Sequence, residues 1–173
     1  MPAAIKTKEL DLKRAILETY AVNERANQYL LESLDERAWR AEPPGGKGRT
    51  AAAIAAHMHN VRHMWLVAAA KELEIPDKLE PADCTRKQAM AALTKSAACC
   101  SRMLELALAR PDGKVKGFRP DVVGMLGYLI SHDAHHRGQI CVLARQAGFP
   151  LLKQAGFGMW EWGTLWKQCG FGD

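Results

Sequence analysis

His132-Asp133-Ala134-His135-His136-Arg137-Gly138-Gln139 places two imidazoles four residues apart inside a segment whose apolar residues recur with helical period. At about 100° per residue, Val122, Met125, Leu126, Ile140, Leu143 and Ala147 all fall within roughly 60° of Leu129 and define one buried stripe. His132 and His136 lie on that stripe, and His135 lies on its flank. A ring nitrogen needs a partner once water is removed, so two inward imidazoles one turn apart are unfavourable unless something satisfies both. Their spacing gives about 6 Å of rise and about 40° of rotation, within which both rings can grip one divalent cation.

A pair holds a metal poorly, so a third ligand is needed. The remaining histidines, His57, His59 and His63, all fall in a helical segment from about Thr50 to Leu73. There Ile54, Met58, Val61, Trp65 and Ala68 define the apolar face, and His57 lies about 60° from Ile54 on that side. His59 and His63 point the other way and read as a solvated pair, able at most to pick up an adventitious surface ion. His57 is the inward candidate.

These residues, Ala53-Ile54-Ala55-Ala56-His57 in the second helix and the His132 to Gln139 cluster in the fourth, together with the distance between them, resemble the DinB-like family of four-helix-bundle proteins. The resemblance covers most of the chain. It implies an all-α four-helix bundle in an up-down-down-up arrangement, with His57, His132 and His136 as metal ligands, the same three that periodicity selects. It also implies a homodimer. Some members of the family transfer or isomerise substrates with low-molecular-weight thiols such as bacillithiol or mycothiol, while many others have no assigned activity.

Three neutral imidazoles leave one or two coordination positions open, as in catalytic rather than structural sites. Zinc or nickel suits such a donor set, and a water or thiol placed there is activated for transfer or hydrolysis of a small-molecule substrate. The other reading is a non-enzymatic metal-binding or stress-response bundle. No catalytic residue is assigned: Asp133, His135 and Glu161 are each possible general bases. Gln139, three residues after His136, and Asp133 are candidates to orient the outer ring nitrogens. For Asp133 the expected role is instead a surface ion pair with Arg137. Gly138 is expected to let a neighbouring segment approach closely.

With 173 residues, 48% hydrophobic and 25% charged, the chain is expected to form a single domain over residues 1–173 with a substantial core. No apolar run reaches the roughly 18 residues that cross a bilayer. Charges in Met1-Pro2-Ala3-Ala4-Ile5-Lys6-Thr7-Lys8-Glu9 argue against a signal peptide, so a cytoplasmic location is expected. Cys84, Cys99, Cys100, Cys141 and Cys169 are odd in number and lack a CxxC pair, which suits thiols in a reducing compartment. A reactive role is left open for Cys169. The net charge of +5 concentrates in two basic runs, Arg37, Arg40, Lys47 and Arg49, and Arg110, Lys114, Lys116 and Arg119. Neither is interleaved with aromatic stacking groups, so nucleic-acid binding is not expected, and attraction of an anionic small substrate is the milder use.

The first helix is expected over about Leu10 to Ser33, with Leu12, Ile16, Ala26, Tyr29, Leu30 and Leu34 on its apolar side, ended by Pro43-Pro44-Gly45-Gly46. Thr50 caps the second. The third spans about Thr85 to Ala109, with Met90, Leu93, Ala97, Met103, Leu104 and Leu108 inward. Pro120 is expected to begin the fourth. The connection from about Glu74 to Cys84 is long enough, at ~35 Å extended, to let the third helix run parallel to the second. After Gly148-Phe149-Pro150, Trp160, Trp162 and Trp166 form a Trp-rich element. It is expected to staple onto the bundle, the other readings being a wall of the metal pocket or a dimer contact.

Overall fold

The computed structural model describes residues 9–172. Residues 1–8, which carry most of the stretch read against secretion, lie outside the described residues.

The described residues contain helices and no strand: α1 (Leu12–Ser33), α2 (Glu36–Trp39), α3 (Ala51–Ala69), α4 (Arg86–Leu108), α5 (Val122–Gln146), α6 (Lys153–Gly158) and α7 (Trp162–Gln168). Each long helix begins at a side chain that accepts one of the backbone N–H groups left free in a first turn. Asp11 does so for α1, and Thr50 accepts from the Ala53 N–H at the start of α3. Thr85 forms a reciprocal capping box with Gln88 on α4. Asp121 caps α5, so Pro120 stands one residue before the cap and does not start the helix.

Four long helices, α1, α3, α4 and α5, make the bundle. Two apolar clusters fill it. One joins Leu30, Leu31, Ala51, Ile54, Leu93 and Ile140, and the other joins Ile16, Tyr20, Leu66, Leu104, Met125 and Leu129. Between them lies a buried polar layer that includes Asn23, Asn27, Arg62, Asp133 and His136. Among the described residues no helix is long and apolar enough to cross a membrane.

The segment after α3 runs back along it. His63 Nδ1 lies 2.9 Å from the Pro76 carbonyl oxygen and His59 Nε2 2.8 Å from that of Asp77. The Asn60 side chain both donates to the Leu79 carbonyl and accepts the Leu79 N–H, each at 2.9 Å. The Cys84 thiol then donates to the Ala52 carbonyl near the start of α3. From there α4 proceeds in the same sense as α3, with Ala92 and Leu93 beside His59 and Arg62.

This crossover corrects two expectations. Helix α3 stops at Ala69, short of Leu73, with Ala70 as its C-cap donating its N–H to the Leu66 carbonyl, after which the chain turns back. His59 and His63 do not face solvent: His59 is fully buried and its Nδ1 lies 3.0 Å from the Ala92 carbonyl oxygen. Of the expected apolar face of α3, Ile54 and Met58 are buried, but Ala68 is exposed and Val61 and Trp65 are half-buried, while Ala52, Ala55, His59, Arg62 and Leu66 extend the buried side in another direction. Polar residues at the centre of that side turned the sequence-based face away from its true axis.

On α1 the expected inward residues Ile16, Ala26, Leu30 and Leu34 are buried, while Leu12 is exposed. At the C-terminal end, Leu165 and Trp166 pack on Val22, Ala26 and Tyr29 of α1, and Trp166 Nε1 donates to Glu18 at 2.8 Å. Trp166 is therefore the staple. Trp160, 80% exposed, and Trp162 are not. All five cysteines are free thiols. Burial pushes the Cys100 thiol up to about 12 and also raises Cys169, which argues against reactivity at either.

Candidate metal centre

Helix α3 brings His57 and helix α5 brings His132 and His136 to one place, where a ligand nitrogen from each ring lies within 4.8 Å of the others. The ring centroids are 5.4 Å apart for His57 and His132, 4.8 Å for His57 and His136, and 4.4 Å for the α5 pair. His136 is buried, and His57 and His132 are partly exposed. The three expected ligands thus converge, at the level of the buried polar layer.

The orientation of the α5 rings decides what they can hold. His136 Nδ1 lies 2.8 Å from Gln139 Oε1, an acceptor only, so the ring proton belongs on Nδ1 and the Nε2 lone pair is free. His132 Nδ1 faces Asp133 Oδ1 at 3.8 Å, beyond hydrogen-bond length. The two Nε2 atoms then confront each other at 3.2 Å. Two lone pairs at that separation repel unless a cation or a proton lies between them. Two nitrogens roughly 2.0–2.1 Å from a tetrahedral zinc ion are about 3.3 Å apart, so the pair fits an ion of this size. A ring nitrogen of the partly exposed His57 lies within 4.8 Å of the ligand nitrogens of that pair.

Electrostatics favour the neutral form of His57 and His136, the form in which imidazole ligates. Burial, with the Arg49 charge and the other two imidazoles, holds His57 down at about 4. Burial also lowers His136, against the raising effect of its bond to Gln139. Tyr128 stacks on His132 with centroids 6.0 Å apart and an interplanar angle of 23°, and Trp65 and Phe118 extend this aromatic wall. None of the three C-terminal tryptophans belongs to it.

Asp133 corrects the expected surface pair with Arg137. It is 1% exposed, and its Oδ2 meets the Arg62 guanidinium at 2.7 Å and the Asn23 and Asn27 amides at 2.7 and 2.9 Å. Arg137 donates instead to the Oδ1 atoms of Asn23 and Asn27. Arg62 also donates to Glu24 at 2.7 Å and to the Leu93 carbonyl at 3.0 Å. Burial alone would raise the Asp133 pKa. The Arg62 charge and the hydrogen bonds overcome it and hold the carboxyl well below the usual carboxylate range.

Arg62, Glu24, Asn23 and Asn27 were not singled out from the sequence. A signal was present, since Asn23 and Asn27 interrupt the stripe Ile16, Tyr20, Leu30 and Leu34 at positions that should be apolar. His135 is exposed, as expected of a flank residue, and so is Glu161. Gly138 has no atom within 4 Å of where a Cβ would stand, so no segment packs closely on it.

The sequence model of the DinB family matches residues 6–154, most of the chain. No match was found among curated proteins or among solved structures.

Proposed function

The chain belongs to the DinB family, and on that premise we propose that it is a divalent-metal-dependent enzyme whose ion, zinc or nickel, is held by His57, His132 and His136. The observation that carries this reading is the convergence of three imidazoles from two helices, with Gln139 fixing the tautomer that turns His136 Nε2 inward. A divalent cation bound there with open positions would act as a Lewis acid, lowering the pKa of a thiol or water at neutral pH.

The chain's own acid groups favour chemistry that needs no separate base. Asp133 adjoins a ligand but is consumed by Arg62, Asn23 and Asn27. We therefore favour transfer reactions of a low-molecular-weight thiol cosubstrate on a small electrophile, with hydrolysis second. Residues around the rings do the positioning: Gln139 holds His136, and the Tyr128 ring limits how His132 can turn. The other reading, a metal-binding bundle without turnover, rests on the same three-histidine geometry. A cytoplasmic homodimer belongs to the proposal.

Incubating zinc- or nickel-loaded protein with a panel of small thiols and electrophiles, followed by mass spectrometry of the products, separates the two readings. Adduct formation that disappears in His132→Ala supports the enzyme. Full metal loading with no turnover in any combination supports the metal-binding bundle.

A further inference from the structure

The first basic run divides into two kinds of residue. Arg37 pairs with Asp35 at 2.8 Å and lies over the Phe149 ring, and Arg40 donates to the Ala82 and Cys84 carbonyls. Both hold loops in place. Lys47 and Arg49 form no ion pair among the described residues and instead line a cavity of about 760 Å³ between the loop before α3 and the outer side of α5. His135, Gly138 and Gln139 form its other wall, and no acidic residue lines it.

That cavity adjoins the three-histidine site. Gln139 belongs to both: its Oε1 is committed to His136 Nδ1, which leaves the Nε2 donors for something else. Gly138 keeps the wall open, because any side chain there would occupy cavity space.

Resting on the metal reading above, we propose that this cavity selects small organic dianions. One anionic group is held by Lys47 and Arg49, and a second donor group reaches the three-histidine centre. Two cations in a cavity that no acidic residue lines, beside a site that itself gains positive charge with a bound ion, attract and orient such a molecule.

Cobalt(II)-loaded protein offers a visible-absorption readout of binding at the centre. Linear dicarboxylates from malonate to adipate are titrated beside monocarboxylates of matched length, in wild type, in Lys47→Ala/Arg49→Ala and in Lys114→Ala/Lys116→Ala. The last removes two exposed cations from a different cleft. Comparing matched acids cancels the direct carboxylate–metal contribution. At least one dicarboxylate is expected to bind about tenfold tighter than its partner in wild type and in the Lys114/Lys116 variant, with the preference lost in the Lys47/Arg49 variant. Normal cobalt loading with no preference in wild type, or with one that survives Lys47→Ala/Arg49→Ala, overturns the proposal and leaves the metal reading standing. Failure to load cobalt removes both.

Discussion

Gln139 and Asp133 flank the same pair of imidazoles and act on them differently. Gln139 accepts directly from His136 at 2.8 Å, whereas Asp133 stands 3.8 Å from His132 and spends its strong hydrogen bonds on Arg62, Asn23 and Asn27. Acceptors behind a ligating histidine typically matter by 10–100-fold in metal affinity. Gln139→Leu is therefore expected to weaken zinc binding by about tenfold or more in a chelator competition while leaving the thermal midpoint of the metal-free protein nearly unchanged; equal affinities would remove Gln139 from the site. His57, His132 and His136 were legible in the sequence because each lies on the side of an apolar stripe. His59 and Asp133 were not, because burying a polar group depends on partners supplied by other elements. For His59 these are the Asp77 and Ala92 carbonyls, and for Asp133 they come from α1 and α3.

At the scale of elements, Arg62 on α3 and Asp133 on α5 join the two helices that carry the ligands, and Glu24, Asn23 and Asn27 bring in α1. Removing one partner of a buried pair leaves a charge uncompensated, typically at 3–5 kcal/mol. Asp133→Asn is expected to lose about that much in urea denaturation at pH 7. Because the folded pKa of Asp133 lies below its unfolded value of about 3.9, the stabilisation is fully present above that value. It fades as pH falls toward the folded pKa. The gap between wild type and Asp133→Asn must accordingly narrow below about pH 4; a gap that widens there contradicts the buried ion pair. Helix extents were largely legible from caps and turns, as Thr50, Thr85 and Gly148 illustrate. The rotation of α3 was not, since a sequence cannot say that His59, Asn60 and His63 serve a returning loop.

Across the whole molecule, the bundle closes its apolar clusters internally, yet the C-terminal part leaves Leu152, Phe157 and Trp160 exposed at 79%, 59% and 80%. If the proposed homodimer uses this surface, Trp160→Ser shifts sedimentation toward the monomer; an unchanged profile places any dimer contact elsewhere. The account as a whole depends on three rings sharing one ion, and elemental analysis by mass spectrometry of protein reconstituted with zinc and then passed through a chelating column measures this directly. One zinc per chain is expected in wild type, in His59→Gln and in His135→Ala, with loss of the ion in His57→Ala, His132→Ala and His136→Ala. Wild type without zinc, or any of the last three retaining its full complement, contradicts the shared site.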